Sequence, residues 1–316
     1  MTNIASIDIG SHTARLLISQ NIGPPDLFRP LFRKRTYIHL AEGFDNQGEG
    51  TITPEAMDRT LKALEDFASL MKQYDVVTTH AVSTGVVRRA FNRDHLLNRI
   101  HGQTGIKVRA ISGEHEARLT CMGVLHSLDM EEGPFCIFDL GGGSTELIFG
   151  GQEDTGATSI SLGTMVLTHT FLRSDPPDTI EIEALSKYVD EVLEDAFLEE
   201  AWAGKHYLLV GTGGTVTTLA AMIFHIDSKE IRPERINGLI VERDGIEDLW
   251  AHIRPLTITE RMELRGLDRG RADVILAGVM VVMRIMHFFK SMQMTASLSD
   301  ILEGILVAYL QGEEDE

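Results

Sequence analysis

The sequence predicts an α/β protein built from two similar domains. Strand-like apolar runs alternate with helical patterns from one end of the chain to the other, the signature of packed α/β layers. The 316 residues suggest two domains at roughly 150 residues each, with one large α/β domain as the alternative. A third observation is an internal echo: Ile7-Asp8-Ile9-Gly10-Ser11 followed by Arg15 to Ile18, and Phe138-Asp139-Leu140-Gly141 followed by Glu146 to Phe149, stand 131 positions apart. Each copy reads strand, acid, small-residue turn, strand, and each stands near the start of a half-chain.

The elements follow in order. Ile4 to Ile9 and Arg15 to Ser19 form a hairpin. Thr53 is an N-cap with Pro54 at the first helical position, and Met57, Leu61, Leu64, Phe67 and Met71 recur behind it at helical spacing. A strand near Val76 to Val82, a helix near Arg93 to Gln103, a strand from Ile106 to Ile111 and a helix from about Glu114 to Leu128 complete the first series. Glu131-Glu132-Gly133-Pro134 breaks the pattern, so the domains are expected at 1–128 and 129–316. The second series has strands at Phe135 to Leu140, Glu146 to Gly150 and Tyr207 to Val210. Its helices are expected at about Thr179 to Glu200, Gly245 to Ile253, Ile258 to Arg265 and Arg271 to Phe289.

Composition excludes several classes. With 43% hydrophobic and 24% charged residues and 9 Pro, the chain is neither disordered, collagen-like nor a coiled-coil rod. The formal charge of -18 excludes a broad nucleic-acid-coating surface, so a polyanionic ligand must be held locally by amides, a few cations and metal. Cys121 and Cys136 cannot build a disulfide framework or a multi-cysteine metal site. Val274 to Met283 is too short to span a bilayer and reads as a buried helix, so no membrane partner is expected. The N-terminus lacks a signal-peptide pattern, and the expected location is cytoplasmic. Glu313 to Glu316 reads as a solvated acidic end.

Three loops carry the chemistry. In FDLGGGSTELIF, three consecutive glycines weaken a strand but let the backbone approach a ligand closely. Successive N–H groups there make a concave anion site, with hydroxyls from Ser144 and Thr145; a ligand-free hairpin turn is the plainer alternative. The first copy, DIGSHTARLL, is less specific, and His12 reads as a turn donor rather than a metal ligand. VGTGGTVTTLAAM places Gly211, Gly213 and Gly214 at the entry to a helix, suited to phosphate or to close packing. It completes neither the dinucleotide-binding fingerprint nor a P-loop. Asp8, Asp139 and Glu146 lie beside these turns. Carboxylates next to a bound anion call for a bridging hard cation such as Mg²⁺, although each taken singly could cap a turn.

IASIDIGSHTARLLI, ISGEHEARLTCMGV, FDLGGGSTELIF, VGTGGTVTTLAAM and GLDRGRADVILAG resemble, in order, the signatures of the exopolyphosphatase / guanosine pentaphosphate phosphohydrolase family, in its short two-domain form. The resemblance implies two ribonuclease-H-like domains of the actin-like superfamily of sugar kinases and heat-shock ATPases, with an interdomain cleft. It implies an exopolyphosphatase that releases orthophosphate from the end of inorganic polyphosphate. By similarity, Glu116 of GEHEAR activates the attacking water, and Asp8, Asp139 and Glu146 hold Mg²⁺ or a similar divalent cation. Ser11, Arg88, Gly142, Gly143, Ser144 and Thr145 match the phosphate cradle; Gly213 and Gly214 of the third loop join them as phosphate-binding candidates. Val166 stands where relatives carry Arg, and Ser299 to Gly304 lacks the Gly and Arg of the family's G-L-R-E-G segment. Guanosine pentaphosphate is the alternative substrate, since the same chemistry would serve it. An actin-like kinase or ATPase, and a non-catalytic alarmone sensor, are further alternatives. The sequence leaves a homodimer open as an assembly.

Overall fold

A computed structural model describes residues 1–40, 42, 44, 50–128, 130, 133–151, 156–197 and 207–313. The chain divides into two compact units, Met1–His126 with Asp300–Glu316, and Ser127–Ser299.

In the first unit β1 (Asn3–Ile9), β2 (Thr13–Gly23) and β3 (Leu27–Tyr37) run antiparallel, and α1 (Pro54–Gln73) follows. Thr53 caps α1 by accepting the Ala56 N–H, as its position before Pro54 predicts. Then come β4 (Val76–Ser83), α2 (Gly85–Arg89), α3 (Arg93–Thr104), β5 (Val108–Ala110) and α4 (Gly113–Ser127). Strands β1, β4 and β5 are parallel, and the five-stranded sheet has the order β3-β2-β1-β4-β5.

The second unit repeats this plan. Strands β6 (Phe135–Leu140), β7 (Thr145–Gly150) and β8 (Gly156–Ile160) run antiparallel, and α5 (Thr164–Phe171) and α6 (Thr179–Ala196) follow. Next are β9 (Leu208–Thr212), α7 (Gly214–Ile223), α8 (Pro233–Ile236), β10 (Leu239–Glu242), α9 (Arg243–Ile253) and α10 (Ile258–Arg261). Helix α11 (Ile275–Phe288) and β11 (Gln293–Ala296) complete a six-stranded sheet ordered β10-β11-β9-β6-β7-β8. The run from Val274 is the buried helix that its apolar composition predicts, with Ile275 to Val282 all in the core. No described helix is long and apolar enough to cross a membrane.

Helix α12 (Ile301–Gln311) corrects the expected division at residue 128. Its apolar face belongs to the first unit, where Leu302, Leu306 and Val307 pack with Ile4, Leu17 and Phe28. Ile305 and Ala308 join Val82 and Leu119. Contiguous burial decides domain membership, and sequence distance does not. Other boundaries also differ. The strand expected from Ile106 to Ile111 is reduced to Val108–Ala110. The helix expected to reach Arg265 ends at Arg261, and the one expected from Arg271 begins at Ile275 after a short turn capped by Asp268. The acidic break at 131 and 132, the end of the expected helix at 198–200 and the acidic end at 314–316 lie outside the described residues. Glu313 pairs with exposed Arg118.

Candidate active site

In each unit the predicted residues gather where parallel strands end, the place where open α/β sheets present ligand loops. In the first unit, Ile9 of β1 is registered against Ser83 of β4, so the turn after Asp8 and the turn carrying Thr84 leave the sheet side by side. The Thr84 N–H donates to the Ile9 carbonyl, and the Gly10 N–H to the Thr13 carbonyl. Ser11 is buried in this turn. The His12 ring packs against Tyr37 and His39, with centroids 5.1 and 4.6 Å away.

Ser112 starts α4, its hydroxyl accepting the His115 N–H and its carbonyl the Glu116 N–H. A carboxylate in a helix's first turn is favoured by the exposed N–H groups. Glu116 is nonetheless only 8% exposed. Its Oε2 lies 3.8 Å from Nη1 of Arg88, and the same nitrogen donates to the Ile111 carbonyl at 2.9 Å. Two predicted functional residues are thus brought together, the acid Glu116 and the cation Arg88.

Asp8 stands differently from the other acids. The echo makes Arg15 the counterpart of Glu146: Asp8 pairs across the strands with Arg15, and Asp139 with Glu146. Arg15 donates from Nε and Nη2 to Oδ2 of Asp8 at 3.0 and 2.7 Å and from Nη1 to Asp300. Oδ1 of Asp8 is buried with no hydrogen-bond partner among the described residues. Burial pushes the Asp8 carboxyl above its ordinary value, with Arg15 pulling the other way. Arg15 escaped the sequence prediction, although the echo itself aligned it with a named site residue.

In the second unit, β6 and β7 are joined by the triple-glycine turn, closed by the Gly141 N–H donating to the Ser144 carbonyl at 3.0 Å. The N–H groups of Thr164 and Met165, in the first turn of α5, donate to the carbonyls of Gly141 and Gly142. Tying down the carbonyls in this way leaves the turn to present amides. Gly163 lies against Gly143 so closely that a side chain there would strike backbone. The two hydroxyls expected as ligand donors are committed internally. Ser144 donates to Oε1 of Glu146 at 2.8 Å and Thr145 to the Leu162 carbonyl at 2.6 Å, so both hydroxyls brace the loop. Ser159 of β8 adds a second donation to Oε1 of Glu146, at 2.8 Å.

Asp139 ends β6 opposite Thr212 of β9. Gly213 follows at φ +94°, and a Cβ there would come within 2.6 Å of the Leu140 carbonyl and 2.8 Å of Oδ1 of Asp139. Only glycine meets both demands. Next to it, Gly214 opens α7, and the buried guanidinium of Arg271 rests on its backbone. Arg271 did not stand out in the sequence: GLDRGRAD offers two arginines, and nothing local says that the second is buried against Gly214.

Among the described residues no group of three or more acids, histidines or cysteines is arranged to hold a metal. Two carboxylates directly opposed on paired strands, Asp139 and Glu146, form the better donor set for a hard cation. Both are oxygen donors, both are buried, and Glu146 is fixed by two hydroxyls. Mg²⁺ fits the second unit on that chemistry, whereas Asp8 has one oxygen occupied by Arg15.

Two ribonuclease-H-like units, each with a glycine-containing turn and buried acids at its strand ends, define the chain as an actin-like α/β protein. Residues 19–313 match the Ppx/GppA phosphatase family, and the chain belongs to it, which makes it a hydrolase of the phosphatase class. It is 30% identical to Exopolyphosphatase 2 of Mycobacterium tuberculosis over 98% of each chain. It is 28% identical to the bifunctional 3-dehydroquinate synthase/phosphatase of Fusobacterium nucleatum, over 99% of this chain and 47% of that one. Of solved structures, an exopolyphosphatase from Cytophaga hutchinsonii matches with a TM-score of 0.89 at 29% identity, over 99% of both chains. The Aquifex aeolicus Ppx/GppA family member matches with a TM-score of 0.80 at 28% identity, over 100% of this chain and 99% of that one.

Proposed function

We propose that the chain is an exopolyphosphatase, dependent on Mg²⁺ or a similar divalent cation, that releases orthophosphate from the end of inorganic polyphosphate. The observation that carries the reading is Glu116, a nearly buried carboxylate at the start of α4 beside Arg88. The curated relatives named exopolyphosphatases support it. Glu116 accepts a proton from water as the water oxygen attacks the terminal phosphorus. The bond from that phosphorus to the bridging oxygen breaks, and the shortened chain leaves with the electron pair. Arg88 steadies phosphoryl oxygens and holds the orientation of Glu116. The amides of Gly142, Gly143, Ser144 and Thr145, those of Gly213 and Gly214, and Ser11 hold further phosphate oxygens. Asp139 and Glu146 would hold the cation, which supplies charge neutralisation on the oxygens of the transferred group.

Glu116→Gln keeps the shape of the side chain and removes the base. Its kcat for phosphate release from long-chain polyphosphate is expected to fall by about 10²–10⁴, with Tm within about 2 °C of wild type. Unchanged turnover in a folded variant would overturn the role of Glu116. Comparing kcat/KM for polyphosphate, guanosine pentaphosphate and ATP decides the substrate, and a larger value for guanosine pentaphosphate would replace polyphosphate in this reading.

A further inference from the structure

Thr84 stands at the centre of the first unit's strand ends, yet none of the roles above falls to it. It follows β4, the middle of the three parallel strands β1, β4 and β5. On one side its N–H donates to the Ile9 carbonyl at 3.2 Å, beside the Gly10–Ser11 turn. On the other, the Ile111 N–H donates to the Ser83 carbonyl at 3.0 Å, just before Ser112 starts α4. The Thr84 carbonyl accepts from the N–H groups of Val87 and Arg88 at 3.0 and 3.4 Å, which sets Arg88 one turn further on.

Register gives the direction of the Thr84 side chain. Side chains alternate along a strand, and Thr84 stays extended at φ -117° and ψ -173°, so it shares the face of Val82. Asp8 is registered with Val82 and lies on that face too. Val82 packs there in one cluster with Leu119 of α4. Glu116 precedes Leu119 by one turn, about 5 Å along the helix. Thr84 follows Val82 by two residues, about 7 Å along the strand. Helix α4 starts where the strands end, so both steps run toward the same rim and bring Thr84 to the height of Glu116.

The hydroxyl is also uncommitted. Ser144 and Thr145 donate within their own loop. Thr84 makes no side-chain capping bond to α2, and its hydroxyl has no hydrogen-bond partner among the described residues. Thr84 is nevertheless only 6% exposed. A polar group so nearly out of water costs stability unless something meets it, and valine would fill the same space without that cost. A phosphoryl oxygen, which only accepts, is the partner suited to a hydroxyl between Arg88 and the Ser11 turn.

We propose that Thr84 contacts substrate, its hydroxyl donating to an oxygen of the terminal phosphoryl group on which Glu116 acts. This assignment rests on the catalytic reading of Glu116, and the test separates the two.

Thr84→Val keeps the branched shape and removes the donor, whereas Thr84→Ser keeps the donor. With long-chain polyphosphate, kcat/KM should fall about 10–100-fold in Thr84→Val, the loss of one hydrogen bond to a charged acceptor, and stay within about threefold in Thr84→Ser. The Tm of Thr84→Val should equal or exceed that of wild type, an outcome that a hydroxyl serving only the fold would reverse. In a Glu116→Gln background, calorimetric titration with polyphosphate should show binding at least about tenfold weaker with Thr84→Val and unchanged with Thr84→Ser. Thr84→Ala takes the place of Thr84→Val if the latter does not fold. Unchanged kcat/KM in a folded Thr84→Val, or an equal loss in Thr84→Ser, overturns the proposal and leaves Glu116 in its role. Absent hydrolysis by wild type, together with weakened binding in Thr84→Val, would overturn the catalytic reading and keep Thr84 as a phosphate ligand.

Discussion

Replacing Arg15 by methionine removes the cation that holds two buried carboxylates and keeps most of the side chain's volume. Asp8 and Asp300 are 5% and 2% exposed, and both accept from Arg15. Breaking a buried pair from one side costs about 3–5 kcal/mol. The Arg15 side chain keeps 22% of its surface in water, so solvent offsets part of this and about 2–4 kcal/mol is expected. For a unit of this size that lowers Tm by about 4–16 °C. The pH dependence has a definite sign. Burial raises the Asp8 carboxyl above its ordinary value, and Arg15 is the group that lowers it. The native state therefore keeps a proton that the unfolded chain releases, and the contribution of Asp8 to stability declines as pH rises above about 4. Without Arg15 the carboxyl climbs further, so the deficit of the variant should be smaller at pH 5 than at pH 8. Urea denaturation followed by far-ultraviolet circular dichroism at the two pH values measures this. A deficit under about 1 kcal/mol at pH 8, or one as large at pH 5, would refute the reasoning.

Three further outcomes are expected. Gly213→Ala forces an L-residue to φ +94° with its Cβ 2.6 Å from the Leu140 carbonyl; calorimetry should show a loss of about 2–3 kcal/mol, and a loss under about 0.5 would mean that the turn relaxes freely. Ser159→Ala removes a 2.8 Å donation to Glu146, and the Mg²⁺ concentration for half-maximal phosphate release should rise about tenfold; an unchanged requirement would take the cation away from Glu146. Burial raises the Cys121 thiol to about 11; at pH 8 its alkylation by iodoacetamide should therefore be more than about a hundredfold slower in the native protein than in urea, and equal rates would contradict the burial.

Much of the candidate site was legible because it breaks local rules. Glycine runs beside acids at strand ends make poor strands, and Asp139, Gly142, Gly143 and Glu146 stand out for that reason. Glu116 rested on the family resemblance, since an acid at a helix start has an ordinary explanation. The sequence concealed what depends on pairing across distance. Strand β3 carries Arg29, Arg33, Lys34 and Arg35, so no apolar alternation announces it. Its Arg33 makes sense only once Glu303 of α12 reaches it. Arg261 is almost fully buried and donates to the Leu256 and Ala272 carbonyls and to Asp175, partners no local pattern identifies. The departure at Ser299 to Gly304 also acquires a local purpose. Asp300 and Glu303 form a capping box on α12, and Gly304 lets that helix approach the Leu119 carbonyl of α4.

The return of α12 to the first unit sets an order of events during synthesis. Leu302, Leu306 and Val307 close a cluster with Ile4, Leu17 and Phe28, and the Ser6 hydroxyl donates to the Leu302 carbonyl. The half that leaves the ribosome first must wait, with part of its sheet uncovered, until the whole of the other half has been translated. The second unit carries its core entirely within Ser127–Ser299 and is under no such delay, so the amino-terminal portion of the newborn protein is the last to become complete.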